Sequence, residues 1–107
     1  MGVTIGDGFK FFRSGTNNVC FTLCVEGIDV KQRSVDFSLS GFNGASSSYQ
    51  VCRGNTKYVN FPDRTQLRVN IKDVLESFNG QKVTNLRFYT DGAYDWQRFE
   101  SDPVYRR

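Results

Sequence analysis

The chain has 107 residues, with 14 Lys and Arg against 11 Asp and Glu for a formal charge of +3, and a pI near 8.9. That length suits one core and would starve two, so a single domain over residues 1–107 is expected. Apolar residues are only 38%, but ten Phe, five Tyr and one Trp supply burial that a disordered chain lacks, and the small, unclustered positive surplus leaves nucleic acid disfavoured as a partner.

In chain order, Met1 to Gly8 shows neither the basic start nor the apolar stretch of a signal peptide, and Gly6 stands where myristoylation would want Ser or Thr. Phe9 to Arg13 reads as a weak strand. Val19-Cys20-Phe21-Thr22-Leu23-Cys24-Val25 alternates strictly, which places Val19, Phe21, Leu23 and Val25 on one face. Val35 to Ser40 repeats the pattern, with Val35, Phe37 and Leu39 inward and Asp36, Ser38 and Ser40 outward. Ser46-Ser47-Ser48 reads as a loop or the start of a strand, and Tyr49 to Arg53 and Lys57 to Phe61 follow as strands. Leu67 to Ile71 alternates again.

At Asp73 the pattern changes. Asp73 and Glu76 have the spacing of a capping box, Val74, Leu75 and Phe78 make an apolar face, and Gly80 suits a helix stop; a short helix over residues 73–79 is expected, against a rival hairpin at Asn79-Gly80. Lys82 to Tyr89 and Tyr94 to Phe99 complete the strands. Turn residues fall between them, at Ser14 to Asn18, Gly41 to Gly44, Arg53 to Thr56, Pro62-Asp63 and Asp91-Gly92. The expected fold is all-β, an antiparallel sandwich or flattened barrel of seven to nine strands with one short helix. Its core comprises Phe11, Val19, Phe21, Leu23, Val25, Val35, Phe37, Leu39, Val51, Leu67, Val69, Ile71, Leu86 and Phe88. The short apolar runs supply no membrane span.

The chemistry is bounded by absence: with no histidine, the commonest general base and metal ligand are missing. Cys20 and Cys24 on one strand would sit roughly 13 Å apart, too far for a bridge. Either thiol could pair with Cys52, or all three serve as small buried groups. Three thiols without C-x-x-C spacing fall short of a zinc site, so no metal or cofactor is expected. Asp91, Asp95 and Asp102 could contribute to a calcium loop, but no D-x-[DN]-x-[DN]-G motif is present. The carboxylate pairs Asp91 with Asp95 and Asp36 with Glu26 read as exposed solubilising groups, which disfavours an enzyme.

The richest stretch runs from Asn85 to Phe99, with the only Trp, two Tyr, two Arg and two Asp around a Gly turn. Arg87 and Tyr89 point outward if Leu86 and Phe88 point inward, and Tyr94, Trp96 and Arg98 share a face. Rings beside Asp and Arg suit hydroxyl-rich, partly apolar ligands or a protein surface. The expected role is therefore a non-catalytic, lectin-like recognition module that binds a glycan or a protein surface through Tyr89, Asp91, Tyr94, Trp96 and Arg98, in an extracellular or particle-surface setting. The alternatives are a structural or assembly protein (a virion or tail component, or a secreted effector) acting through protein–protein contacts, and a small carboxylate-based enzyme. The opposing reading of Trp96 is a core ring with Tyr94 half-buried beside it.

Overall fold

The computed structural model describes residues 1–41 and 45–100, without the side chains of Ala45 and Glu100. The described residues form nine strands and no helix: β1 (Gly2–Val3), β2 (Asp7–Arg13), β3 (Val19–Asp29), β4 (Ser34–Gly41), β5 (Ala45–Cys52), β6 (Thr56–Asn60), β7 (Gln66–Glu76), β8 (Lys82–Tyr89) and β9 (Tyr94–Glu100). They make two antiparallel sheets packed together, one of order β1-β8-β7-β6 and one of order β5-β4-β3-β2-β9. Residues 42–44 of the expected Gly41 to Gly44 turn, Asp102 and the tail lie outside the described residues.

Period-two burial is what builds the core. Phe21, Leu23 and Val25 of β3, Val35, Phe37 and Leu39 of β4, and Leu67, Val69 and Ile71 of β7 are buried, while their neighbours point to the outer faces. Phe9 and Phe11 of β2 join them: Phe11 stacks on Phe21 with ring centroids 4.6 Å apart, and Phe9 meets Phe88 of the opposite sheet edge-on at 5.0 Å. Each such pair adds about 0.5–1.5 kcal/mol to the area its rings bury.

Two expectations fail at β-bulges. Val19 is half-exposed rather than buried. The β2–β3 register passes from Phe11 opposite Phe21 to Phe12 opposite Val19, so Cys20 is the extra residue and Val19 turns outward. The helix expected over residues 73–79 is instead the end of β7 and a hairpin turn. The register slips at Lys72, between Ile71 and Asp73, and the inward residues become Ile71 and Val74. Of the apolar face expected from Val74, Leu75 and Phe78 only Val74 is buried, and the i, i+3 spacing of Ile71 and Val74 across the bulge is also that of a helix face. The chain then reverses at the rival site: the Ser77 amide donates to the Gln81 carbonyl (2.8 Å), and Gly80 takes a φ of 84° that favours glycine. Phe78, at this tip, is fully exposed.

The edges are unequal. The four-stranded sheet ends in β1, two residues long, and β6, five residues long, whereas the five-stranded sheet ends in β5 and β9, of eight and seven residues. The ring of Phe99 of β9 covers Gly8 of β2, where a Cβ would come within 2.7 Å of it.

Candidate functional site

The five residues singled out in the sequence fall into three places. Tyr94 is buried at the start of β9, edge-on to Phe21 at 5.2 Å and Phe61 at 6.1 Å. Its hydroxyl reaches out of the core to Thr65 Oγ1 at 2.7 Å and Asp63 Oδ2 at 3.1 Å, on the β6–β7 loop. The Thr65 hydroxyl and amide and the Arg13 guanidinium donate to the same carboxylate, Arg13 at 2.6 Å. These hydrogen bonds, the Thr65 hydroxyl first, hold Asp63 well below the usual carboxylate range against the opposing effect of burial. Burial, chiefly, pushes the Tyr94 phenol up. Because Arg13 and Tyr94 belong to the five-stranded sheet and Asp63 and Thr65 to a loop of the other, the cluster is a clasp between the sheets.

Trp96 and Arg98 lie on the inward side of β9, at the open edge of the sandwich-like body. Trp96 stands edge-on to Phe9 (5.7 Å) and Phe88 (5.5 Å) and remains 42% exposed, so it closes the side of the core with one flank and meets solvent with the other. Arg98 donates to the Gly2 carbonyl of β1 (2.9 Å) and to the Asp7 carboxylate, a second tie between the sheets.

Tyr89 and Asp91 are elsewhere, on the outer face of the four-stranded sheet. Alternation points Thr56 and Tyr58 of β6, Arg68 and Asn70 of β7, and Arg87 and Tyr89 of β8 outward, away from Val59, Leu67, Val69 and Leu86. Register places Tyr58 opposite Arg68, and Arg68 opposite Tyr89. The three form a row across adjacent strands. The Arg68 guanidinium sits over the Tyr89 ring at 5.4 Å and is paired to Asp91, whose φ of 53° turns its carboxylate back toward β7. Tyr58 and Tyr89 are 56% and 42% exposed. Asn70 opposite Arg87 extends the row, with the Asn70 amide donating to Thr56 Oγ1 (3.0 Å).

Tyr58 and Arg68 are the members that sequence reasoning missed. Each was recognisable as an outward residue of its strand, but only the strand order, with β7 between β6 and β8, makes them neighbours of Tyr89. Asp91 and Asp95 do not share a site: Asp91 is paired with Arg68, and Asp95 accepts weakly from the Gly15 amide at 3.4 Å. Glu26 accepts from Ser38 at 2.7 Å. Cys20, Cys24 and Cys52 are free thiols, and burial together with the Glu26 charge pushes Cys24 up, away from a reactive thiolate. Among the described residues no three His, Cys, Asp or Glu side chains gather as metal ligands, and no helix is long and apolar enough to cross a membrane.

No protein-family model, curated protein or solved structure matches this chain.

Proposed function

We propose that the protein is a non-catalytic recognition module whose binding surface is the Tyr58–Arg68–Tyr89 row, and that its ligand is a carbohydrate chain displayed outside the cell or on a particle surface. The observation that carries this reading is the placement of two exposed tyrosines on the strands either side of Arg68, whose guanidinium is held over the Tyr89 ring. Two strand spacings separate β6 from β8, roughly 9–10 Å. That separation lets the two rings stack on successive sugars of an extended chain while Arg68, Arg87 and Asn70 hydrogen-bond to hydroxyls. Pre-pinning of Arg68 by Asp91 lowers the entropy lost when it engages a ligand.

Calorimetric titration against neutral and acidic oligosaccharides tests the reading. Tyr58→Ala and Tyr89→Ala should each weaken the best ligand at least about tenfold, near 1.4 kcal/mol, with unchanged melting. Absence of binding across the panel overturns it.

The second reading, an assembly protein working through protein contacts, is favoured by one observation at the far end of the same sheet. Phe78 is fully exposed at the β7–β8 tip, and Leu75 is 51% exposed on the outer face nearby. Under that reading Phe78→Ser abolishes association with a partner and leaves carbohydrate titrations unchanged.

A further inference from the structure

Free strand edges are sticky because each exposes a row of unpaired backbone donors and acceptors, and sheets blunt them with charge, proline, bulges or brevity. Three of the four edges here are blunted in these ways. β1 has two residues; β6 has five, includes Lys57 and runs into Pro62 within two residues; β9 carries Asp95 and Arg98. β5 is the exception. Its sequence, Ala45-Ser46-Ser47-Ser48-Tyr49-Gln50-Val51-Cys52, has no charge, no proline and no glycine. Its register with β4 runs without a bulge from Gly41 opposite Ala45 to Ser34 opposite Cys52, so the free side is straight along its whole length. Next to that edge, between β5 and β6, opens a cleft of about 210 Å³ whose lining includes Leu39, Tyr49, Val59 and Phe61.

We propose that β5 is an assembly edge that pairs antiparallel with β5 of a second copy of this chain about a two-fold axis, joining two five-stranded sheets into one of ten strands. The strand is self-complementary. With Tyr49 on the axis, Gln50 faces Ser48 of the second copy on the outer side and Val51 faces Ser47 of the second copy on the inner side. No like charges meet within the paired strands, although the Lys57 ammonium of each copy lies over its own Tyr49 ring at 5.4 Å, beside the axis; the period-two alternation is kept in phase across the junction. The two Tyr49 rings then lie beside the two clefts and narrow their mouths. A foreign peptide added to the same edge would draw specificity from side-chain pockets or charges, whereas the outer residues Ser46, Ser48 and Gln50 are exposed, uncharged and symmetric about Tyr49 only for a second β5. The second copy brings its own register instead.

The test is sedimentation velocity across a concentration series, in reductant because Cys52 at the end of β5 is an exposed thiol. The wild type should shift with concentration from the 12.2 kDa monomer to twice that mass. The double variant Ser48→Lys with Gln50→Lys sets lysine against lysine twice across the axis and should remove the dimer. Ser48→Lys with Gln50→Glu sets opposite charges together and should keep it, as should Gln97→Lys on the β9 edge. Hydrogen exchange of the wild type gives a reading that needs no variant: the amides of residues 46–52 that face away from β4, every second one, should gain protection as the dimer forms. A monomer at every concentration, a dimer that survives the double lysine, or protection that appears on β9 instead overturns the proposal. All of these positions lie on the sheet opposite Tyr58, Arg68 and Tyr89, so carbohydrate titrations of the same variants read the two proposals separately.

Discussion

Two places in this molecule are built from the same three residue types in nearly the same geometry. At one, the Arg13 guanidinium sits 5.3 Å from the Tyr94 ring and pairs with Asp63; at the other, the Arg68 guanidinium sits 5.4 Å from the Tyr89 ring and pairs with Asp91. Tyr94 is 4% exposed, Tyr89 42%. That single difference separates their roles. The first ring is surrounded by Phe21 and Phe61, and its hydroxyl has its hydrogen bonds within the protein, so nothing is left over for a ligand. The second has its cation fixed over the ring and much of its surface open to solvent. A cation, a ring and a carboxylate therefore do not mark a binding site by composition; what decides is whether the ring's area is already spent inside the fold.

Truncating each tyrosine in turn is the strongest way to break the comparison. Tyr94→Ala removes a buried ring from between the sheets and should cost about 3–5 kcal/mol in urea or thermal unfolding. Tyr94→Phe keeps the ring but leaves Asp63 and Thr65 without its hydroxyl, for a loss of about 1–2 kcal/mol. Tyr89→Ala, on the open face, should stay within about 0.5 kcal/mol of the wild type while it weakens carbohydrate binding at least about tenfold. Equal unfolding losses at the two positions would mean that the outer row is structural.

Acid sharpens the same contrast. Asp63 is held below its ordinary range in the folded chain, chiefly by the Thr65 hydroxyl and by Arg13, so in acid the unfolded state binds the proton more readily than the native one. The stability this supplies is complete well above the unfolded carboxylate value of about 3.9. It drains away as pH falls through that value toward the lower folded one. Asp63→Asn should therefore be less stable than the wild type near neutrality and should lose less on going from about pH 5 to pH 2. Parallel curves for the two proteins, measured by urea unfolding along a pH series, would show that the clasp contributes no acid dependence.

How far the fold and site could be read beforehand follows from what alternation encodes. Period two gives the strands and their inward faces correctly wherever the ladder is regular, as at Leu23, Phe37 and Val69. It fails at Cys20 and Lys72, where one extra residue reverses the phase; beyond Lys72 the spacing of Val74, Leu75 and Phe78 imitates a helix face, of which only Val74 is buried. The face shared by Tyr94, Trp96 and Arg98 was legible in the same way, since they alternate along β9, but alternation left open whether it points outward or, as a core ring at Trp96 would have it, inward. The outer row was only one-third legible. Tyr89 stood out because of its neighbours in sequence, whereas Tyr58 and Arg68 join it only through the order of strands, which depends on which hydrophobic faces and hairpins pair across the whole chain.

The smallest effect is expected at Asp91, and it divides conformation from charge. The residue has a φ of 53°, a left-handed value that asparagine adopts easily and a β-branched residue does not. Asp91→Asn keeps the turn and removes the ion pair, which is largely solvent-exposed on the Asp91 side, so its unfolding cost should be no more than about 0.5 kcal/mol. Arg68 then loses its anchor over Tyr89, and carbohydrate affinity should fall by roughly threefold, about 0.7 kcal/mol. Asp91→Val adds backbone strain of about 1–2 kcal/mol to the same loss. If the two variants bind alike but unfold differently, the carboxylate serves the row by holding the guanidinium in place. If the Asp91→Asn protein binds like the wild type, Arg68 is already held by the tyrosine ring alone, and the parallel with the Arg13–Asp63 clasp ends at its geometry.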